Sequence, residues 1–373
     1  MDFCQWLGVR RAINARGPVT RYGGALLAPE VVEAMAAASR VNVDMVELLR
    51  AVGERIARLL GVEAAAVTSG AAAGLVVSAA ACMTGDDPEK ISMLPSTWGL
   101  DREVLMFASQ EISYANYINL SGAELAEIEP PEGLDDVISH DTAAFVYFAG
   151  LREDRCPPLQ ECAGICNSQG VPVIVDAARK MPTRENVRRL FSQGADLLIY
   201  SGGKAIGGPQ PSGIICGRED LVRACFLNAC PHSAVGRPMK VGREEAAGLL
   251  RALELFLERD YAADAQAWTA KLETVKRGLA GVPGLAVRLA ERSPDGEPVP
   301  CICIRPDTRL GLPSAGVAAS TLAAGDDSRP PVATWPVANE LLVWATMLQD
   351  GDEHILAERL AEVFAGSRLR EEA

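Results

Sequence analysis

The chain has 373 residues, with 36 Lys plus Arg against 49 Asp plus Glu and a formal net charge of −13. That balance argues against a nucleic-acid partner, because phosphate backbones are held by clustered Lys and Arg and no basic run offsets the acidic surface. Hydrophobic residues make up 49% and charged residues 23%, a globular composition in a chain long enough for one large α/β domain and a smaller second one. Residues 1–11 carry no apolar secretion segment. The Ala- and Gly-rich stretch 70–83 falls short of the roughly 20 residues that cross a bilayer, so a cytoplasmic protein with no membrane partner is expected.

In chain order, helical periodicity covers 29–40 and 44–60. The second segment sets Val46, Leu49, Val52, Ile56, Leu59 and Leu60 on one side, with Asp44 as N-cap and Glu47 three residues on. A short strand at 64–68 leads into a small-residue helix. Apolar runs at 104–107, 142–148, 171–175, 196–200 and 213–216 read as strands, with helices at 159–168 and 220–227. Near-continuous apolar strands alternating with helices predict a mostly parallel sheet covered on both faces. A long helical stretch, 244–280, bridges to strands at 285–288, 299–304 and 341–345 and a last helix at 353–364. The expected organisation is an N-terminal segment 1–35, a large domain 36–240, and a small C-terminal α+β domain 241–373 that includes its linking helix.

Ten cysteines are scattered, several inside apolar runs, and fit reduced thiols. Cys162 and Cys166 share a helix face, but no second thiol pair or His pair completes a metal site, so no metal is expected.

The strongest local signal is Tyr200-Ser201-Gly202-Gly203-Lys204-Ala205-Ile206-Gly207-Gly208-Pro209-Gln210. A lysine follows a strand inside a loop where glycines permit close approach of a backbone or a ligand. The nucleotide-binding P-loop pattern fails, because Ala205 stands where Ser or Thr is required. Asp176 ends the apolar run Val173-Ile174-Val175, 28 residues before Lys204, with room for one helix and the next strand between. Ligands of open α/β sheets gather at that strand edge. On its own such an Asp is more often a helix cap. A third element, Thr68-Ser69-Gly70-Ala71-Ala72-Ala73-Gly74, runs from strand into helix and offers N–H groups, a helix dipole and a hydroxyl to a phosphate. Ser201, three residues before Lys204, is a candidate for a further phosphate contact. Amine, carboxylate and phosphate loop together suit pyridoxal 5′-phosphate (PLP), whose imine needs a lysine and whose ring nitrogen needs a carboxylate.

These words, in this order, resemble the fold-type I PLP-dependent enzymes, and within them the selenocysteine synthase-like (SelA-like) group with its D-glucosaminate-6-phosphate ammonia-lyase-like members. The resemblance begins at Ile13-Asn14-Ala15-Arg16-Gly17 and Thr20-Arg21-Tyr22-Gly23-Gly24. It passes through Thr68-Ser69-Gly70-Ala71, Val175-Asp176-Ala177-Ala178, Ser201-Gly202-Gly203-Lys204 and Gly208-Pro209-Gln210, and ends at Gly236-Arg237-Pro238-Met239-Lys240-Val241-Gly242. It implies an aspartate aminotransferase-like fold and a homodimer, or a multiple of dimers, with its site at the subunit interface. Lys204 would form the Schiff base and Asp176 would meet the ring nitrogen. Ser69, Gly70 and Ala71, with Ser201, would hold the phosphate. Asn14, Arg16 and Arg237 are candidates for a substrate carboxylate or phosphate. One departure is Ser109-Gln110-Glu111, where relatives carry a His over the cofactor ring. Gln110 is expected in that place, with Tyr114 nearby as a substitute and His232 as an acid/base candidate.

The expected reaction is abstraction of the Cα proton of a small amino acid or amino sugar acid, followed by α,β-elimination. Racemisation or epimerisation, aldol-type cleavage and transamination stay open. Selenium transfer on tRNA is disfavoured, because the cofactor domain is entered near residue 12. A catalytically inactive PLP-binding scaffold remains the non-enzyme alternative.

Overall fold

The computed structural model describes residues 2–110, 112–129, 133–326 and 329–365. The chain divides into two compact units, Leu27–Glu258 and the combination of Met1–Leu26 with Arg259–Ala373.

The larger unit is built on a seven-stranded sheet of β1 (Ala64–Thr68), β2 (Glu103–Phe107), β3 (Glu124–Ile128), β4 (Thr142–Phe148), β5 (Val173–Asp176), β6 (Leu197–Ser201) and β7 (Gly213–Gly217). The spatial order is β1-β7-β6-β5-β4-β2-β3, and β7 runs antiparallel to both its neighbours while the other pairs are parallel. Phe145, Val146, Ile174, Val175, Leu198 and Ile199 are fully buried, so the central strands are covered on both faces, as their unbroken apolar runs require. β3 escapes the sequence pattern. It is an edge strand with Glu124 and Glu127 exposed, and charge on an edge discourages further strand pairing at the cost of apolar periodicity.

The helix Met45–Leu60 starts where Asp44 accepts hydrogen bonds from the Val46 and Glu47 N–H groups, and it buries Leu49, Val52, Ile56 and Leu60. It meets β1 at Gly53, where a Cβ would stand 2.2 Å from the Ala65 carbonyl oxygen. The helix Ala71–Thr84 is buried along nearly its whole length. At Gly74, a Cβ would lie 2.7 Å from Ile199 Cγ2, so that helix crosses the sheet in close contact.

The stretch expected as one long helix is two, Arg243–Glu258 and Tyr261–Leu279. Asp260 stops continuity by capping the second, accepting from Ala262 and Ala263 N–H.

The smaller unit holds a four-stranded antiparallel sheet in the order Trp335–Val337, Glu340–Trp344, Cys301–Pro306, Leu285–Ala290. Ile302, Ile304, Leu341 and Val343 pack with Leu272, Leu322, Leu356 and Leu360 from its helices. Cys301, Cys303, Leu342 and Trp344 form a second cluster. The helix Ala315–Ala324 is capped by Ser314, and its run of small residues hides it from periodicity. Ile13–Asn14 pairs in parallel with Val332–Ala333.

All ten cysteines are free thiols, and burial pushes Cys162 and Cys166 each up to about 12. Among the described residues, no helix is long and apolar enough to cross a membrane.

Close packing at Gly53 predicts that Gly53→Ala destabilises the protein by about 1–3 kcal/mol, because the added methyl meets backbone. Gly164→Ala, on an exposed helical position with open space around it, should instead be neutral or stabilise by up to about 1 kcal/mol. Denaturant unfolding of both variants measures the contrast.

Candidate active site

Asp176 is the last residue of β5, in register with Phe148 at the end of β4 and Ile199 on β6. It is 3% exposed. Its Oδ1 accepts a hydrogen bond from the Ala178 N–H at 2.8 Å, whereas Oδ2 is buried without a hydrogen-bond partner. Burial pushes this carboxyl above the usual carboxylate range. The Ala178 N–H, the Lys204 charge, the Tyr114 phenol and the Arg179 charge pull it back.

Lys204 lies in the turn three residues beyond the end of β6, the strand next to β5. Its loop folds back on its own return. Gly202 N–H donates to the Ser212 carbonyl at 2.8 Å, Gly208 N–H to the Gly202 carbonyl at 2.8 Å, and Gly207 N–H to the Lys204 carbonyl at 3.0 Å. A Cβ on Gly202 would sit 2.1 Å from Ser212 Oγ, and one on Gly203 2.8 Å from Gln210 Cα. The close approach that glycine permits here is therefore of the loop to itself.

The turn from β1 into the helix Ala71–Thr84 meets the same edge. Thr68 Oγ1 donates to the Gly70 carbonyl at 3.0 Å, Gly70 takes φ 141°, and no side chain caps the helix. Thr68 and Ser201 are both register partners of Gly213, from either side. A side chain at Gly213 would come within 2.7 Å of Thr68 Oγ1 and 2.8 Å of the Gly70 carbonyl carbon. Register thus brings 68–70, Ser201, Lys204 and Asp176 to one end of the sheet. Ser69 and Ser201 are both half-buried there.

Other candidate residues are placed differently. Gln110 has no exposed surface. Its Nε2 donates to the Phe148 and Leu151 carbonyls and its Oε1 accepts from the Phe148 N–H, each at 3.0 Å. With no accessible surface and its amide engaged, Gln110 clamps the end of β4. Glu111 lies outside the described residues. The ring that does face the carboxylate is Tyr114, edge-on to Phe148 with centroids 6.2 Å apart and at 68°.

His232 packs edge-on against Phe226 at 5.0 Å and turns Nδ1 to the Ala229 carbonyl, which makes it part of the turn after the helix Glu219–Asn228. Arg237 is exposed, with a long contact of 3.9 Å from Nη1 to Cys230 Sγ. Asn14 and Arg16 belong to the smaller unit. The Asn14 amide is spent on its own turn, donating to the Gly17 carbonyl at 2.9 Å and accepting from the Arg16 N–H at 3.0 Å. Arg179, three residues beyond Asp176, was not singled out from sequence, and no local motif marks it as acting on that carboxylate.

The family model for L-seryl-tRNA selenium transferase (SelA) matches residues 164–292. A 5'-C-glycyluridine monooxygenase-decarboxylase from Streptomyces sp is 35% identical over 334 residues, covering 86% of this chain and 82% of that protein. A D-glucosaminate-6-phosphate ammonia lyase from Salmonella typhimurium is 31% identical over 295 residues, covering 75% and 76%. The solved structure of a D-glucosaminate-6-phosphate ammonia-lyase superposes with a TM-score of 0.83 at 26% identity over 99% of both chains. More distant solved structures, of the aspartate aminotransferase-like class, share the fold alone. At these identities over these spans, the chain belongs to the SelA-like family of fold-type I PLP-dependent enzymes, alongside the D-glucosaminate-6-phosphate ammonia-lyase group.

Proposed function

We propose that this enzyme binds PLP through Lys204 and removes the Cα proton of a small amino acid or amino sugar acid, with α,β-elimination and ammonia release as the outcome. The observation that carries the reading is the unsatisfied Oδ2 of Asp176, a buried acceptor beside the Lys204 charge. A buried carboxylate oxygen without a donor costs about 1–3 kcal/mol or more, and a protonated ring nitrogen is a donor that fits it. Ser69, Gly70 and Ala71, with Ser201, would hold the phosphate at an uncapped helix N-terminus.

Bound PLP supplies an electron sink for the charge left at the substrate Cα. Asp176 would keep that sink effective by holding a proton at the ring nitrogen. Lys204 Nζ would hold the cofactor and serve as the base for the Cα proton. Arg16 and Arg237 are proposed to hold a substrate carboxylate or phosphate through their planar forks, with Asn14 ordering the turn that carries Arg16. The working form is proposed to be a cytoplasmic homodimer or a multiple of dimers.

A second reading, oxygen-dependent decarboxylation, is supported by the 35% identity to the 5'-C-glycyluridine monooxygenase-decarboxylase. Turnover of D- and L-amino acids in deuterated water separates these outcomes. Ammonia with a 2-oxo acid supports elimination, carbon dioxide release with oxygen uptake supports the second reading, and deuterium in recovered substrate supports racemisation.

Borohydride should fix PLP to Lys204 in the wild-type protein. Lys204→Ala should lose that link and reduce turnover by about 10²–10⁴-fold; retention of a fixed cofactor in the variant contradicts the assignment.

The folded-state pKa of Asp176 is raised by burial, so its ionised form costs stability above the ordinary carboxylate range and nothing once pH falls below it. Asp176→Asn should therefore stabilise the cofactor-free protein at neutral pH by about 1–3 kcal/mol while weakening PLP retention. The advantage should fade as pH falls through the raised folded-state value and be gone below about 4, the ordinary carboxylate value, which unfolding measured across pH will check.

A further inference from the structure

We propose that Tyr114 is a positioning residue for Asp176: its phenol O–H donates to the carboxylate and so keeps the shared proton on the cofactor's ring nitrogen. This rests on the reading that PLP occupies the crevice.

Three placements support it. Tyr114 precedes the short helix Ala115–Ser121, and its ring stands edge-on to Phe148 at 6.2 Å. Phe148 is the register partner of Asp176, so the Tyr114 ring packs beside the strand end that neighbours the carboxylate, near enough for each group to bear on the other's ionisation. Gln110, the side chain expected in this neighbourhood from sequence, spends its amide on the β4 end and offers no donor to Asp176.

The charged and titratable groups facing Asp176 are Lys204, Arg179 and Tyr114, and those facing Tyr114 are Asp176 and Arg179. Burial and the adjacent carboxylate hold the Tyr114 phenol well above its ordinary value, so it stays a proton donor throughout the working pH range. In the structure Oδ2 has no partner at hydrogen-bond distance, so the carboxylate has acceptor capacity left for the phenol and a ring N–H. A carboxylate that accepts a second donor is a weaker base. Without the phenol, the proton between ring and carboxylate shifts toward Asp176, and the ring becomes a poorer electron sink.

The test reconstitutes wild type, Tyr114→Phe and Tyr114→Gln with PLP labelled with ¹⁵N in its ring. It reads the ring-nitrogen chemical shift and the cofactor Kd. Tyr114→Phe keeps the ring against Phe148 and should move the ¹⁵N signal toward the unprotonated value, raise the Kd about tenfold, and lower kcat with KM little changed. Tyr114→Gln restores an N–H donor and should return the signal toward that of the wild type. A wild-type shift in Tyr114→Phe overturns the proposal. So does a Tyr114→Gln signal displaced as far as that of Tyr114→Phe, because a donor at this position would then not be what sets the shift. Absence of borohydride-fixed cofactor on Lys204 in the wild type is a separate failure, of the cofactor reading itself, and takes this proposal with it.

Discussion

A buried carboxylate with one satisfied oxygen and one open oxygen is an expensive arrangement for a fold to keep. Asp176 is held in it by the order of the strands. β5 ends between β4 and β6, the Ala178 N–H takes one oxygen, and the other is left with no protein donor in hydrogen-bond range. Hydrophobic packing alone would place an apolar residue there. The other features at this edge make sense once a donor from outside the chain is allowed for: the lysine just past the adjacent strand, the uncapped helix start after β1, and the pairing of Thr68 and Ser201 with one glycine.

The glycines of the site act by letting backbone meet backbone. Gly213 lets the 68–70 turn lie against β7, and Gly202 and Gly203 let the lysine loop close on Gln210 and Ser212. The loop is thereby shaped by its own return hydrogen bonds, which hold Lys204 at the end of β6 without demanding that its side chain do the folding work. Pre-organising the chain in this way lowers the entropy lost when a ligand binds.

Much of this was legible in the sequence, for a physical reason. Strands buried on both faces must be apolar throughout, so β4, β5 and β6 announce themselves, and a lone Asp ending such a run stands out. β3 did not, because an edge strand can carry Glu124 and Glu127 outward. The helix Ala315–Ala324 did not, because small residues carry little periodicity. The clamp that Gln110 makes on β4 was not legible either. A residue's place in a motif reports where its Cα falls, whereas the three hydrogen bonds that turn its amide into β4 are long-range and have no local signature. The bearing of Tyr114 on Asp176 is hidden in the same way, because the two are 62 positions apart in sequence and Tyr114 packs against Phe148, the strand partner of Asp176.

The central claim is that Lys204 and Asp176 converge on one ring. The most direct measurement is a crystal structure of the protein grown with PLP. The account predicts density continuous from Lys204 Nζ into the cofactor, with the ring nitrogen about 2.7–3.2 Å from Asp176 Oδ2. A cofactor joined to another residue, or a ring nitrogen turned away from residue 176, would contradict it.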